Sequence, residues 1–84
     1  MPEIRQRGPV PPHVQVADWI RARIVAGEFG PDDPLPSEKD LKDLLGIARD
    51  TAKRAYAVLE AEGLAYTVPR RGRYVVQSGK GGER

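Results

Sequence analysis

Within the run GIARDTAKRA, residues 46 to 55, five side chains capable of directional polar bonding stand together: Arg49, Asp50, Thr51, Lys53 and Arg54. Arginine presents a planar fork of donors that fits a guanine edge, and one bidentate pair is worth about 1–3 kcal/mol of base discrimination. Thr51 and Lys53 suit phosphates or a second base, and Asp50 can accept from cytosine or orient Arg49. A second set lies farther along, where PRRGR places Arg70, Arg71 and Arg73 within four residues. Such close guanidinium groups repel one another unless an anion neutralises them, and phosphate is the expected anion. Arginine on a protruding loop also suits a narrow, electronegative minor groove.

Other chemistries lack their parts. His13 is the only histidine and follows two prolines, so it reads as a helix-leading residue, not a metal ligand. Asp32 and Asp33 do not have calcium-loop spacing. No phosphate-cradling glycine loop appears, and no nucleophile has an identifiable base. The expectation is a binding protein, not an enzyme, with no cofactor and no metal. The absence of cysteine excludes disulfides and thiolate sites and fits a reducing, cytoplasmic compartment. Apolar runs of only a few residues give no membrane span and no secretion signal. The formal charge is +2, but its distribution is uneven: residues 28 to 43 hold six acids against two lysines, and residues 63 to 84 hold five bases against one acid.

The elements that must position the cations follow from periodicity and punctuation. Eighty-four residues allow one small domain. Residues 1–12 contain four prolines and two arginines and read as a flexible basic arm, in which Arg5 and Arg7 can follow a DNA backbone or minor groove. Residues 13–77 form the domain, and 78–84 a flexible glycine-rich tail. Val16, Ala17, Ile20 and Ile24 make one helical face, with Arg21 and Arg23 towards solvent and Gly27 as its stop. EFGPDDPLP is a surface loop ending in a short extended piece at Leu35. Ser37 caps a second helix, with Glu38 and Asp40 in its first turn, Leu41, Leu44 and Leu45 as its apolar set, and Gly46 at its end.

The third pattern sets Ala52, Ala55, Tyr56 and Leu59 at i, i+3, i+4 and i+7, closed by Gly63. Two helices joined by a tight glycine-containing turn are the sequence form of helix-turn-helix. LAYTV and YVVQ then form a β-hairpin around PRRGR, with Gly72 at positive φ in the turn. On a helical wheel Arg49, Asp50 and Lys53 point away from the alanine and leucine stripe, and Arg54 lies farther round the same exposed side. The polar opening of this helix is thus free to enter a major groove. Trp19, on the edge of the first helix beside Val16 and Arg23, either half covers the core or arm or serves as a dimer or partner contact.

These residues resemble the winged-helix DNA-binding domain of the GntR family of bacterial transcription regulators. The resemblance spans residues 14 to 76 and rests on VADWIRARIVAGEF, PLPSEKDLKDLLGI, ARDTAKRAYAVLEAEGL and the RRGRYVV wing. It implies an α+β winged helix-turn-helix, three helices followed by a two-stranded wing, with a short extra strand near Leu35. It also implies that Lys39 stands where the family often has a DNA-contacting arginine, that Arg49, Thr51 and Lys53 match recognition-helix contacts, and that Arg70 to Gly72 match the wing tip. Three positions depart from the pattern. Ala48 replaces a serine or threonine cap, Lys53 replaces arginine, and Arg70 occupies the place of a second wing glycine. The family's effector-binding, dimerising domain is missing from this sequence, so no effector is assigned.

The combined expectation is a sequence-specific regulator of double-stranded DNA, a repressor acting at a palindromic operator, with helix 48–62 in the major groove, wing 69–73 alongside, and pairing of two copies on DNA. Two rivals remain: a protein-interaction module using Trp19 and the acidic 28 to 43 segment, and a nonspecific architectural DNA binder.

Overall fold

A computed structural model describes residues 4–76; residues 1–3 of the expected arm, Gln77 and the expected tail 78–84 lie outside the described residues. The order is α1 (Pro12–Val25), α2 (Glu38–Leu45), α3 (Arg49–Ala61), β1 (Ala65–Val68) and β2 (Gly72–Val75). Each boundary has a local cause. Pro12 opens α1, where a fixed φ is preorganised and the missing N–H has no intrahelical use. Ser37 and Asp40 form a reciprocal capping box at α2: the Ser37 hydroxyl accepts from the Asp40 N–H at 2.9 Å, and the Asp40 carboxylate accepts from the Ser37 N–H at 3.1 Å. Gly46, at φ 68°, ends α2 in the left-handed conformation and donates to the Lys42 carbonyl.

The two helices of the turn motif are separated by Gly46, Ile47 and Ala48, and Ile47 is buried there. It joins a core made of Val16, Ala17 and Ile20 from α1, Leu41 from α2, and Ala52, Ala55, Tyr56 and Leu59 from α3, closed below by Leu35, Ala65 and Val75. The alanines of α3 let its axis approach α1, its main packing partner. An Arg21 fork then fastens the two: Nε and Nη2 donate to the two Glu62 carboxylate oxygens at 2.9 and 2.7 Å. Leu44 departs from expectation, being 43% exposed. Helix α2 has barely two turns, and Leu41 with Leu45 already fills its inward line. Leu44 instead borders a shallow groove with Phe29, Pro34, Leu35 and Pro36.

The hairpin is antiparallel, pairing Ala65 with Val75, Tyr66 with Tyr74, Thr67 with Arg73 and Val68 with Gly72. Its second strand therefore begins at Gly72, two residues before the expected Tyr74. The Arg71 N–H donates to the Val68 carbonyl at 3.0 Å, with Pro69 next and then Arg70 at φ 69°. Proline followed by a positive φ is the signature of a type II turn, whose third position ordinarily takes glycine. Here the arginine adopts that conformation, and Gly72 follows at φ 115°. The expected extra strand near Leu35 is a single bridge between Pro34 and Tyr74, flanked by Leu35 N–H to the Arg73 carbonyl at 2.8 Å and Val75 N–H to the Asp33 carbonyl at 3.0 Å. β2 is thus bonded on both sides.

Residues 4–11 contain no helix or strand, as their prolines dictate. The Gln15 amide accepts from the Arg5 N–H and donates to the Arg5 and Val10 carbonyls, each at 2.8 Å, and Ile4 packs on the core edge. One glutamine satisfies backbone groups that a proline-rich run cannot pair internally.

Candidate nucleic-acid interface

Helix α3 begins at Arg49 after Ala48, whose φ of −74° and ψ of 153° are those of a capping residue but whose side chain has no oxygen to cap with. Arg49, Asp50, Lys53 and Arg54 are exposed and Thr51 is half-buried. The polar face therefore stands clear of the core, as its spacing from Ala52, Ala55 and Leu59 requires. Asp50 does not orient Arg49, contrary to one of the alternatives open in the sequence. Its carboxylate holds Arg54 Nε at 2.9 Å one turn along, the ordinary i, i+4 geometry of a helix surface.

Arg49 turns instead towards the first residue of α2, its Nη2 lying 4.0 Å from Glu38 Oε1. The other oxygen, Oε2, receives Arg73 Nη2 from β2 at 3.0 Å. The leading turn of α3 and the base of the wing are consequently brought to one carboxylate, on the same side of the molecule. Lys39, the next residue of α2, is exposed and bonded to Asp43 at 2.9 Å. That bond raises the lysine above its usual range and lowers the aspartate below its own.

At the wing, Arg70, Arg71 and Gly72 are exposed on the turn. Arg73, expected among the phosphate-facing cations, is turned inward. Its side chain is 19% exposed, and the guanidinium lies over the Tyr56 ring, 4.6 Å from the centroid. Its Nε is 3.6 Å from Glu60 Oε2, outside hydrogen-bond reach, while Glu60 also accepts from the Thr67 hydroxyl of β1. Arg73 is therefore the internal tie between wing, α2 and α3. Strand alternation explains this: Thr67 and Arg73 are opposite one another and face the helices. Beneath it the Tyr56 hydroxyl donates to the Pro36 carbonyl, and burial pushes that phenol well above its ordinary range, with Arg73 opposing the shift.

Among the described residues of this side, Lys53, Arg70 and Arg71 form no ion pair, and Arg49 has only the long contact to Glu38. Those four are the cations most available to an incoming polyanion. Arg5 and Arg7 are also exposed. Trp19 is half-buried against the core with Arg23 stacked 5.7 Å from its ring centre. The sequence reading missed Glu38, Glu60 and Tyr56 as parts of the site. In sequence Glu38 has only a helix-dipole role, and neither residue period nor charge count signals that it meets two arginines from different elements.

Residues 12–75 match the profile of a protein family described as bacterial regulatory proteins, gntR family. The chain belongs to that family. It is 38% identical over 72 residues to the HTH-type transcriptional repressor NagR of Bacillus subtilis, covering 86% of this chain and 30% of NagR. It is 30% identical over 80 residues to the HTH-type transcriptional repressor YtrA of the same organism, covering 95% of this chain and 62% of YtrA. The GntR-family chain thus spans less than two thirds of either relative. Among solved structures, the DNA-binding domain of AraR in complex with operator ORX1 superposes with a TM-score of 0.81 at 32% identity, covering 88% of this chain and 95% of that one. YtrA from Sulfolobus acidocaldarius, a GntR-family transcription factor, gives a TM-score of 0.80 at 32% identity, covering 96% and 85%. The fold is the winged helix-turn-helix expected from sequence.

Proposed function

We propose that this GntR-family domain binds double-stranded operator DNA sequence-specifically and acts in repression. The observation that carries the reading is the exposed opening of α3 beside a wing that presents Arg70 and Arg71. Arg49 reads a base edge in the major groove, with Thr51, Lys53 and Lys39 on phosphates or a second base, and Arg54 held near by Asp50. Arg70, Arg71 and the backbone at Gly72 follow the backbone or minor groove, and Arg5 and Arg7 extend the contact. Support comes from relatives that are repressors and from AraR, whose DNA-binding domain is seen on operators. Two copies bound about 34–36 Å apart, one helical turn, suit a palindromic operator. The activity is binding, not catalysis, and its setting is the bacterial cytoplasm, where the chromosome is reached. Among the described residues no helix is long and apolar enough to cross a membrane.

Selection of bound duplexes from a random pool tests this reading. The expected product is a palindrome bound with strong salt dependence. Recovery of no preferred sequence despite salt-dependent binding would instead make the domain an architectural DNA binder. Arg49→Ala is expected to flatten the recovered preference, costing about 1–3 kcal/mol at one base position. Arg71→Ala is expected to weaken all sequences alike and reduce the salt slope by about one.

A further inference from the structure

The Glu38 carboxylate faces two guanidinium groups unequally, Arg73 at 3.0 Å and Arg49 at 4.0 Å. Arg73 cannot leave: it is stacked on Tyr56 and tied to the helices that carry the wing. Arg49 can leave, since its side chain is 64% exposed. A carboxylate so placed imitates a phosphate oxygen for Arg49 when no DNA is present. Its charge is already largely neutralised by Arg73, so its hold on Arg49 is weak and the loss of that hold leaves no unpaired buried ion.

We infer that Glu38 is a specificity-setting positioning residue, an internal competitor that keeps Arg49 from gripping indiscriminate phosphates and yields it only to a better partner. This rests on the proposed role of Arg49 in base reading. A random phosphate offers Arg49 anionic oxygens of the kind Glu38 already provides, so one charge pair is exchanged for another and little is gained. A guanine edge offers two parallel acceptors that the carboxylate at 4.0 Å does not match. The competitor therefore subtracts from nonspecific affinity more than from specific affinity, and the ratio between them widens. Arg73 sets the strength of the device: with it in place Glu38 is shared, and without it Glu38 would close on Arg49.

The experiment is a cycle of Glu38→Gln and Arg49→Ala, each protein titrated with the duplex recovered by selection and with a shuffled duplex of the same composition, folding being verified by circular dichroism. Glu38→Gln is expected to bind the shuffled duplex about two- to fivefold tighter, the factor a part-exposed ion pair supports, with a smaller change on the selected duplex and a corresponding fall in discrimination. In the Arg49→Ala background the same substitution is expected to change neither ratio nor shuffled-duplex affinity. Arg73→Leu is expected to weaken binding to both duplexes, and Arg73→Leu combined with Glu38→Gln to recover it, which a purely structural role of Arg73 would not produce. An equal effect of Glu38→Gln with and without Arg49 overturns the inference and reduces Glu38 to a diffuse negative charge. Unchanged discrimination in Arg49→Ala alone overturns the base-reading role itself, and the inference with it.

Discussion

The uncapped start of α3 gives a prediction whose magnitude has an internal reference. Ser37 and Ala48 occupy the same position ahead of consecutive helices, both extended, at φ −72°, ψ 169° and φ −74°, ψ 153° respectively. At Ser37 the hydroxyl accepts from the backbone three residues on. At Ala48 the equivalent donor, the N–H of Thr51, has no side-chain cap, and the first helical bond from that turn is Ala52 N–H to the Ala48 carbonyl at 3.2 Å. The backbone already has the conformation that serine needs, so Ala48→Ser gains the cap without rearrangement. The expected stabilisation is about 1 kcal/mol, within the 0.5–2 kcal/mol span of such exchanges. In a domain of this size that raises Tm by about 4–8 °C. Thermal melts followed by circular dichroism at 222 nm measure it, with Ser37→Ala run alongside as the reverse change and expected to lower Tm by a comparable amount. A Tm for Ala48→Ser equal to the parent's, with Ser37→Ala clearly lowered, would refute the reasoning, because the two sites would then not share one energetic cause.

Other outcomes follow from features of the wing and core. Arg70→Gly is expected to stabilise the fold by about 0.5–1 kcal/mol, since relief of a left-handed arginine, about 1–2 kcal/mol, exceeds the entropy a glycine adds to the unfolded chain. Its DNA affinity is expected to fall, so urea melts and binding titrations should move in opposite senses. Tyr56→Phe is expected to lose about 1–2 kcal/mol by leaving the Pro36 carbonyl without its donor, read in urea unfolding at neutral pH. Because burial raises the Tyr56 phenol above its ordinary value of 10.0, the unfolded chain releases that proton first. Stability is unaffected by this group below about pH 10 and falls above it, at a limiting slope of about 1.4 kcal/mol per pH unit. Removal of the hydroxyl is expected to flatten that alkaline limb, and melts between pH 9 and 11.5 would detect its persistence.

Much of the architecture is local and was therefore legible. Ser37, Gly46 and Gly27 punctuate the helices through their own conformational preferences, and the 3.6-residue spacing of Ala52, Ala55, Tyr56 and Leu59 identifies buried positions that are all fully covered. What was not legible depends on partners brought from elsewhere. The three wing arginines look alike in sequence, yet Arg73 turns inward because its strand register places it opposite Thr67 and over Tyr56. Leu44 satisfies an apolar period but lies on the flank of a helix too short to bury it. The Asp50–Arg54 pair was available from i, i+4 spacing alone, whereas the meeting of Glu38 with Arg49 and Arg73 requires the tertiary fold.

The double bonding of β2 has a mechanical consequence. Tension applied to the chain at Val76 runs along a strand fastened on one flank to β1 and on the other to residues 32–35. Such a load is resisted in shear by several bonds at once, instead of peeling them one after another from a free end. A pull or twist arriving from that end is therefore shared between β1 and residues 32–35 before it reaches the arginine-bearing tip.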